Sequence, residues 1–200
     1  MATPSRSAYH HGDLRRAVLD GARAAVEADG AAALSLRQIA RHAGVSHAAP
    51  AHHFGDKAGV FTAIAAEGFT QLAEVTGAAL DATGDLLEVG VAYVRFALDR
   101  RADFEIMFRP ELYRSDDVAV SAARDAAAAV LFRAVRRALG PGREDEVWDG
   151  VVAAWSFTHG FATLWREGNF AAEPGDDPEA AVRLAAAAVD RLVAAGAFTP

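Results

Sequence analysis

The chain has 200 residues, of which 52% are apolar and none is cysteine, so it can bury a sizeable core but holds no disulfide or thiolate metal site. Residues 1–60 carry seven Lys and Arg against five Asp and Glu, whereas residues 61–200 carry thirteen against twenty-two, giving a formal net charge of −7. Because no run of about 18 apolar residues and no signal-peptide core occurs, we expect a soluble cytoplasmic protein that does not enter a membrane.

The predicted elements are helices throughout, because alanine dominates while Ile, Thr and Tyr are sparse. Segment 1–12 is polar, contains Pro4 and Gly12, and predicts a flexible arm. An amphipathic pattern from Asp13 to about Asp29 then predicts the first helix, which Gly30 ends.

Two short helices joined by a tight turn are predicted next. Ser35 and Gln38 have the spacing of a capping box, which opens a helix from Leu36 to Ala43. The segment 44–46 (Gly-Val-Ser) predicts a turn, and Ser46 is expected to cap a second helix that runs to about Phe54. This is the geometry of a helix-turn-helix, in which the second helix enters the DNA major groove. From the pattern alone, an ordinary helical hairpin is the alternative.

Six further helical segments are predicted after this pair. They are a long helix opened by Gly55-Asp56-Lys57, then segments of roughly 85–101, 103–108, 115–139, 144–167 and 178–195. Breaks fall at Thr83-Gly84, at Arg109-Pro110, at 140–142 and in a loop at 174–177. The predicted fold class is therefore all-α.

The last two long helices each carry an apolar face. Apolar and small side chains recur at intervals of three and four at Trp148, Val151, Val152, Trp155, Thr158, His159, Ala162 and Trp165, and again at Ala181, Leu184, Ala185, Ala188 and Leu192. Such faces predict a four-helix bundle formed with a second copy of the chain, giving a homodimer. A bundle closed within one chain is the alternative.

Several linked motifs in the first 60-odd residues resemble the TetR family of tetracycline-repressor-like regulators. They are Tyr9-His10-His11-Gly12-Asp13-Leu14-Arg15-Arg16, Leu34-Ser35-Leu36-Arg37-Gln38-Ile39-Ala40, Gly44-Val45-Ser46 and His53-Phe54-Gly55-Asp56-Lys57. The resemblance implies an arm and three-helix DNA-binding domain at residues 1–55. The long helix then leads into a helical ligand-binding and dimerisation domain at residues 56–200.

The resemblance also implies which residues contact an operator in double-stranded DNA. They are Ser35, Arg37, Ser46, His47, Ala48, Ala49, His52, His53 and Lys57. Arg6, Tyr9 and His10 of the arm would add contacts to the DNA backbone or minor groove. The chain departs from the family at Ala51, where a tyrosine is common, and at His52, where an arginine is frequent.

A second resemblance concerns the C-terminal part. Trp155-Ser156-Phe157-Thr158-His159-Gly160, together with Tyr93-Val94-Arg95-Phe96-Ala97 and Ile106-Met107-Phe108, is similar to a subgroup of the same family marked by a Trp and a His-Gly. It implies a pocket for an unknown small-molecule effector. The candidate ligand-binding residues are Tyr93, Phe96, Met107, Phe108, Trp155 and His159, although aromatic residues of this kind often serve only the core.

These features predict a repressor that a small molecule releases from a palindromic operator. The alternative is a constitutive or architectural DNA-binding dimer with no ligand. No nucleophile with a base, phosphate loop or metal set is evident, so we expect neither an enzyme nor a cofactor. The adjacent pairs His10/His11 and His52/His53 lack a third ligand, so no metal site is predicted.

Overall fold

The computed structural model describes residues 6–170 and 177–194, in which every regular element is a helix. The α-helices are α1 (Arg6–Asp29), α2 (Leu36–His42), α3 (Ala49–Phe54), α4 (Lys57–Thr83), α5 (Leu86–Asp99), α6 (Arg101–Met107), α7 (Val118–Leu139), α8 (Val147–Arg166) and α9 (Pro178–Ala194). Short 3₁₀ turns lie at Pro110–Leu112 and Glu144–Glu146. Within these described ranges, no helix is both long enough and apolar enough to cross a membrane.

The described backbone divides into two compact units, of which the first comprises residues 6–70 and 100–124. Its core is built from the apolar faces of α1, α2, the first half of α4, and α6. The fully buried side chains include Val18, Leu19, Ile39, Val60, Phe61, Ile64, Phe104, Ile106 and Met107. The boundary predicted between residues 55 and 56 separates a DNA-binding domain from a ligand-binding domain by function, and it does not refer to these compact units. It stays a prediction.

The second unit comprises, among the described residues, 71–99, 125–170 and 177–194. One apolar cluster joins α4, α5 and α7 through Leu80, Val89, Val130 and Ala134. Another joins α7 to α8 through Val135, Val147 and Val151. Ion pairs of Arg95 with Glu179 and of Arg183 with Glu88 tie α5 to α9. The predicted loop at 174–176 and the side chain of Leu192 lie outside the described residues.

The flexible arm predicted up to Gly12 is wrong for the backbone from Arg6 onward, which is already helical. A helix-interior glycine costs only about 1 kcal/mol relative to alanine. Gly12 therefore does not stop a helix that continues into the strongly amphipathic turns around Val18 and Ala22. The side chains of Arg6, Tyr9 and His10 lie outside the described residues, so their contacts with DNA stay predictions.

Candidate functional site

The supporting helix α2 begins with the predicted capping box, which the structure confirms. The Ser35 hydroxyl oxygen accepts a hydrogen bond from the Gln38 backbone N–H at 3.4 Å, and the Gln38 Oε1 accepts one from the Ser35 N–H at 2.9 Å. After α2 the chain turns at Gly44, whose φ of 65° lies in the left-handed region that favours glycine. This turn separates α2 from α3, as a helix-turn-helix requires.

Helix α3 begins later than the sequence suggested. Its N-cap is Ala48, with no side-chain hydrogen bond, so the prediction that Ser46 caps this helix is wrong. Ser46 instead accepts a hydrogen bond through its backbone carbonyl from the Ala49 N–H at 3.0 Å. Because the helix starts at Ala49, Pro50 occupies the first turn, where its missing N–H has no intrahelical partner to lose.

The candidate base contacts in segment 47–53 differ in their exposure to solvent. His47, Ala48 and His52 are exposed, whereas Ala49 and Pro50 are buried. His53 is half-buried, and its ring packs edge-on against the ring of His52 with the centroids 5.2 Å apart. Of the candidate base contacts in this segment, His47, Ala48 and His52 are therefore exposed, as is Ala51 beside them, whereas Ala49 is buried against the rest of the unit.

The candidate phosphate contacts are cationic side chains of α2 and α4. Arg37 is exposed in the first turn of α2, close to the N-terminal backbone N–H groups that favour an anion. Lys57 is half-buried, since its Nζ donates to the Ala32 carbonyl at 3.2 Å and lies 5.7 Å from the centroid of the Phe61 ring. Arg41, exposed in the last turn of α2, is a further cation that the sequence-based prediction did not include.

A partly buried network of ion pairs joins helices of the first unit. Asp103 on α6 is 2% exposed, and its carboxylate accepts hydrogen bonds from Arg23 of α1 at 2.9–3.1 Å. Arg23 also donates to Glu67 of α4 at 2.8 Å. Burial opposes the charge on Arg23, but its bonds to Asp103 and Glu67 raise the pKa of the guanidinium above its usual range. Three helices of the first unit therefore meet at one guanidinium.

In the second unit, three of the six predicted ligand-binding residues come together. The Tyr93 hydroxyl and the His159 Nδ1 share a hydrogen bond of 2.8 Å, and the Trp155 and His159 rings have centroids 6.2 Å apart. Burial raises the pKa of the Tyr93 phenol, and a hydrogen bond with Trp155 opposes this shift. Burial, with a smaller contribution from Arg166, lowers the pKa of His159 below its usual range. The cluster is therefore uncharged at neutral pH.

The other three predicted ligand-binding residues lie elsewhere. Phe96 is buried on α5 of the second unit. Met107 and Phe108 belong to the first unit, where Phe108 packs against Phe104 and Phe69 with ring centroids 4.8 and 5.9 Å apart. The structure thus groups Tyr93, Trp155 and His159, while the role of all six residues in binding a ligand stays a prediction.

Helix α8 exposes an apolar stripe. Trp148, Val152 and Trp155 are 64%, 43% and 49% exposed, and their spacing of four and three residues places them on one side of the helix. Toward its C-terminal end lies a groove of about 440 Å³ between α8 and α9, which apolar residues line throughout: Phe157, Gly160, Phe161, Leu164, Trp165, Phe170, Ala181, Leu184, Ala185 and Ala188. Exposed apolar surface of this extent is typical of an interaction surface.

Comparisons with known proteins agree with both halves of this description. Residues 18–64 match a family described as bacterial regulatory proteins of the tetR family, and residues 86–192 match a family described as the C-terminal domain of tetracyclin repressor-like proteins. The second match alone covers more than half of the chain. No curated protein gave a match.

Solved structures with the same fold come from several bacteria. A protein of unknown function from Rhodococcus sp. RHA1 is 34% identical, with 88% of this chain and 93% of that chain covered and a TM-score of 0.72. The TetR family transcriptional regulator PfmR from Thermus thermophilus is 24% identical over 84% and 93%, with a TM-score of 0.68. A bacterial regulatory protein in the tetR family from Rhodococcus RHA1 is 19% identical over 90% and 96%, with a TM-score of 0.69.

Proposed function

The chain belongs to the TetR family of bacterial regulatory proteins, and we propose that it is a repressor that a small molecule releases from a palindromic DNA operator in the cytoplasm. The observation that carries this proposal is the pair α2 and α3, with its capped supporting helix, its turn at Gly44 and an exposed surface at His47 and His52. A helix-turn-helix with these features presents the N-terminal end of its second helix to the major groove.

Affinity for DNA is expected to come mainly from the phosphate backbone. Arg37 and Lys57 supply two cations per subunit, or four per dimer. Neutralising four phosphates gives a slope of about −3.6 in a plot of log K against log salt concentration. The recognition surface carries histidine and alanine rather than arginine, so base readout rests on few side chains, and His47 and His52 are the residues that we assign to it.

Operator binding requires two copies of the chain, and we assign the dimer interface to α8 and α9. In support, Trp148, Val152 and Trp155 on α8 and Leu184 on α9 are all exposed in the single chain. A Cβ atom added at Gly160 would meet no atom within 4 Å, which leaves room for a partner helix to approach closely. A second copy covering this stripe would remove most of its apolar surface from water.

The effector is proposed to bind near Tyr93, Trp155 and His159. Two aromatic faces with a phenol and a neutral imidazole suit an uncharged organic molecule that carries a hydrogen-bonding group. We call α3 the recognition helix, since it is the helix proposed to enter the major groove. Binding of the effector releases DNA only to the extent that the effector prefers a conformation in which the two recognition helices of the dimer no longer match successive major grooves, about 34–36 Å apart.

The experiment that tests this proposal selects duplexes from a random library with the wild-type protein and then measures its oligomeric state by sedimentation. We expect a palindromic consensus sequence and a dimer, and compounds that release the selected duplex would identify the effector class. A selection that enriches no sequence would contradict the proposed regulator. Enrichment without release by any compound of a broad apolar collection would favour the constitutive DNA-binding dimer instead.

A further inference from the structure

The joint between α3 and α4 consists of only two residues. Helix α3 ends at Phe54, Gly55 follows as its C-cap, and α4 begins at Lys57. The Asp56 Oδ1 accepts a hydrogen bond from the Gly59 N–H at 2.8 Å, as expected for the residue that caps α4. The direction of the recognition helix relative to α4 therefore depends on how Gly55 and Asp56 are held.

Arg114 holds the same carboxylate from a distant part of the sequence. Its Nη2 donates to the Oδ1 and Oδ2 of Asp56 at 3.0 and 2.9 Å. Its backbone N–H donates to the Oγ1 of Thr62 at 3.1 Å, and the Thr62 hydroxyl, which is buried, donates to the Ala58 carbonyl at 2.7 Å. Arg114 is thus attached to α4 at Thr62 and reaches back to the residue that starts the helix.

The same place is closely packed around Gly59. A Cβ atom added there would lie 2.0 Å from the carbonyl oxygen of Phe54 and 2.9 Å from the Nη1 of Arg114. The last residue of the recognition helix and the guanidinium therefore both approach α4 at a position that only glycine leaves open. On the other side, Tyr113 is buried and donates its hydroxyl to the Met107 carbonyl at 2.9 Å, which fixes the backbone that carries Arg114.

We infer that Arg114 is a positioning residue for the recognition helix, because it fixes Asp56 in the two-residue joint between α3 and α4. The inference rests on the proposed DNA-binding function. The Asp56–Arg114 pair is exposed to water, so it contributes little to global stability. A small shift at Asp56, however, moves the whole of α3 and with it the side chains of His47 and His52 relative to the bases.

The test compares four variants with the wild-type protein on the duplex that the wild type selects. Arg114→Met removes the hydrogen bonds from the guanidinium to the Asp56 carboxylate. Asp56→Asn keeps a side-chain oxygen that can accept the hydrogen bond from the Gly59 N–H. The double variant restores the net charge of the wild-type pair. Arg109→Met is the matched control, since Arg109 pairs with Glu105 and Glu111 and not with α4. Affinity, salt slope and thermal unfolding are measured for each variant.

Positioning predicts that Arg114→Met and the double variant both bind about tenfold more weakly, with the wild-type salt slope and unfolding temperature. Arg109→Met should bind like the wild type. Restored affinity in the double variant would overturn the inference, because charge imbalance alone would then explain the loss. A smaller salt slope in Arg114→Met would also overturn the inference, because it would indicate a direct phosphate contact. Unchanged affinity in Arg114→Met, or failure of that variant to fold, would overturn the inference as well. A wild-type protein that selects no duplex would instead contradict the proposed function.

Discussion

Replacing Arg23 with methionine should strongly destabilise the first unit. The change deletes three hydrogen bonds to the Asp103 carboxylate, which is 2% exposed. Methionine fills the space of the aliphatic stem but leaves a buried negative charge without its cation. Breaking a buried ion pair in this way costs about 3–5 kcal/mol. With a urea m-value of about 2 kcal/mol per M, the unfolding midpoint falls by about 2 M.

A second variant separates loss of the pair from loss of packing. Arg23→Met combined with Asp103→Leu removes both charges, and we expect most of the stability to return, to within about 1 kcal/mol of the wild type. Arg16→Met serves as the control, because Arg16 is highly exposed and faces Asp20 at 3.8 Å, so its loss should cost under about 0.5 kcal/mol. Equal losses in the single and the double variant, measured by urea unfolding, would refute the account of the buried charge.

Three further predictions concern DNA, the dimer and pH. Arg37→Ala and Lys57→Ala should each weaken binding equally for specific and scrambled duplexes and reduce the salt slope of the dimer by about 1.8, and an unchanged slope would exclude a phosphate contact. Val152→Arg should raise the dimer dissociation constant at least about 100-fold in sedimentation experiments, whereas Ala129→Arg on the exposed side of α7 should leave it unchanged. Because the pKa of His159 is lowered in the folded state, the stability that depends on its neutral form is complete above about pH 6.5 and is lost as the pH falls below that value. His159→Gln should therefore flatten the fall in melting temperature on acidification, and a profile identical to that of the wild type would contradict this assignment.

The sequence predicted the helical elements well wherever local signals were strong. The capping box at Ser35 and Gln38, the break at Arg109-Pro110 and the all-α fold class are confirmed. The starts of α1 and α3 were wrong, because both depended on weak local signals. Gly12 does not interrupt a helix that is supported further along, and the backbone at 46–48 forms a turn before α3 instead of its first residues.

The polar contacts that hold the candidate site together could not be read from the sequence. Arg23 and Asp103 are 80 residues apart, and Asp56 and Arg114 are 58 residues apart. Nothing in the local pattern of either partner indicates such a pair, since a charged residue on an amphipathic helix usually faces solvent. Tyr93, Trp155 and His159 were three of six candidates named through a resemblance, and only tertiary packing separates them from the other three and reveals that a hydrogen bond joins Tyr93 to His159.

The proposed function depends above all on specific DNA binding through α2 and α3. The most direct test measures the affinity of the wild-type protein, over a range of salt concentrations, for a duplex taken from just upstream of its own gene and for a scrambled duplex of the same composition. We predict tight binding to the upstream duplex alone. A plot of log K against log salt concentration should have a slope of about −3.6 or steeper. Equal, weak binding to both duplexes at every salt concentration would contradict the claim that this helix-turn-helix reads a nearby operator.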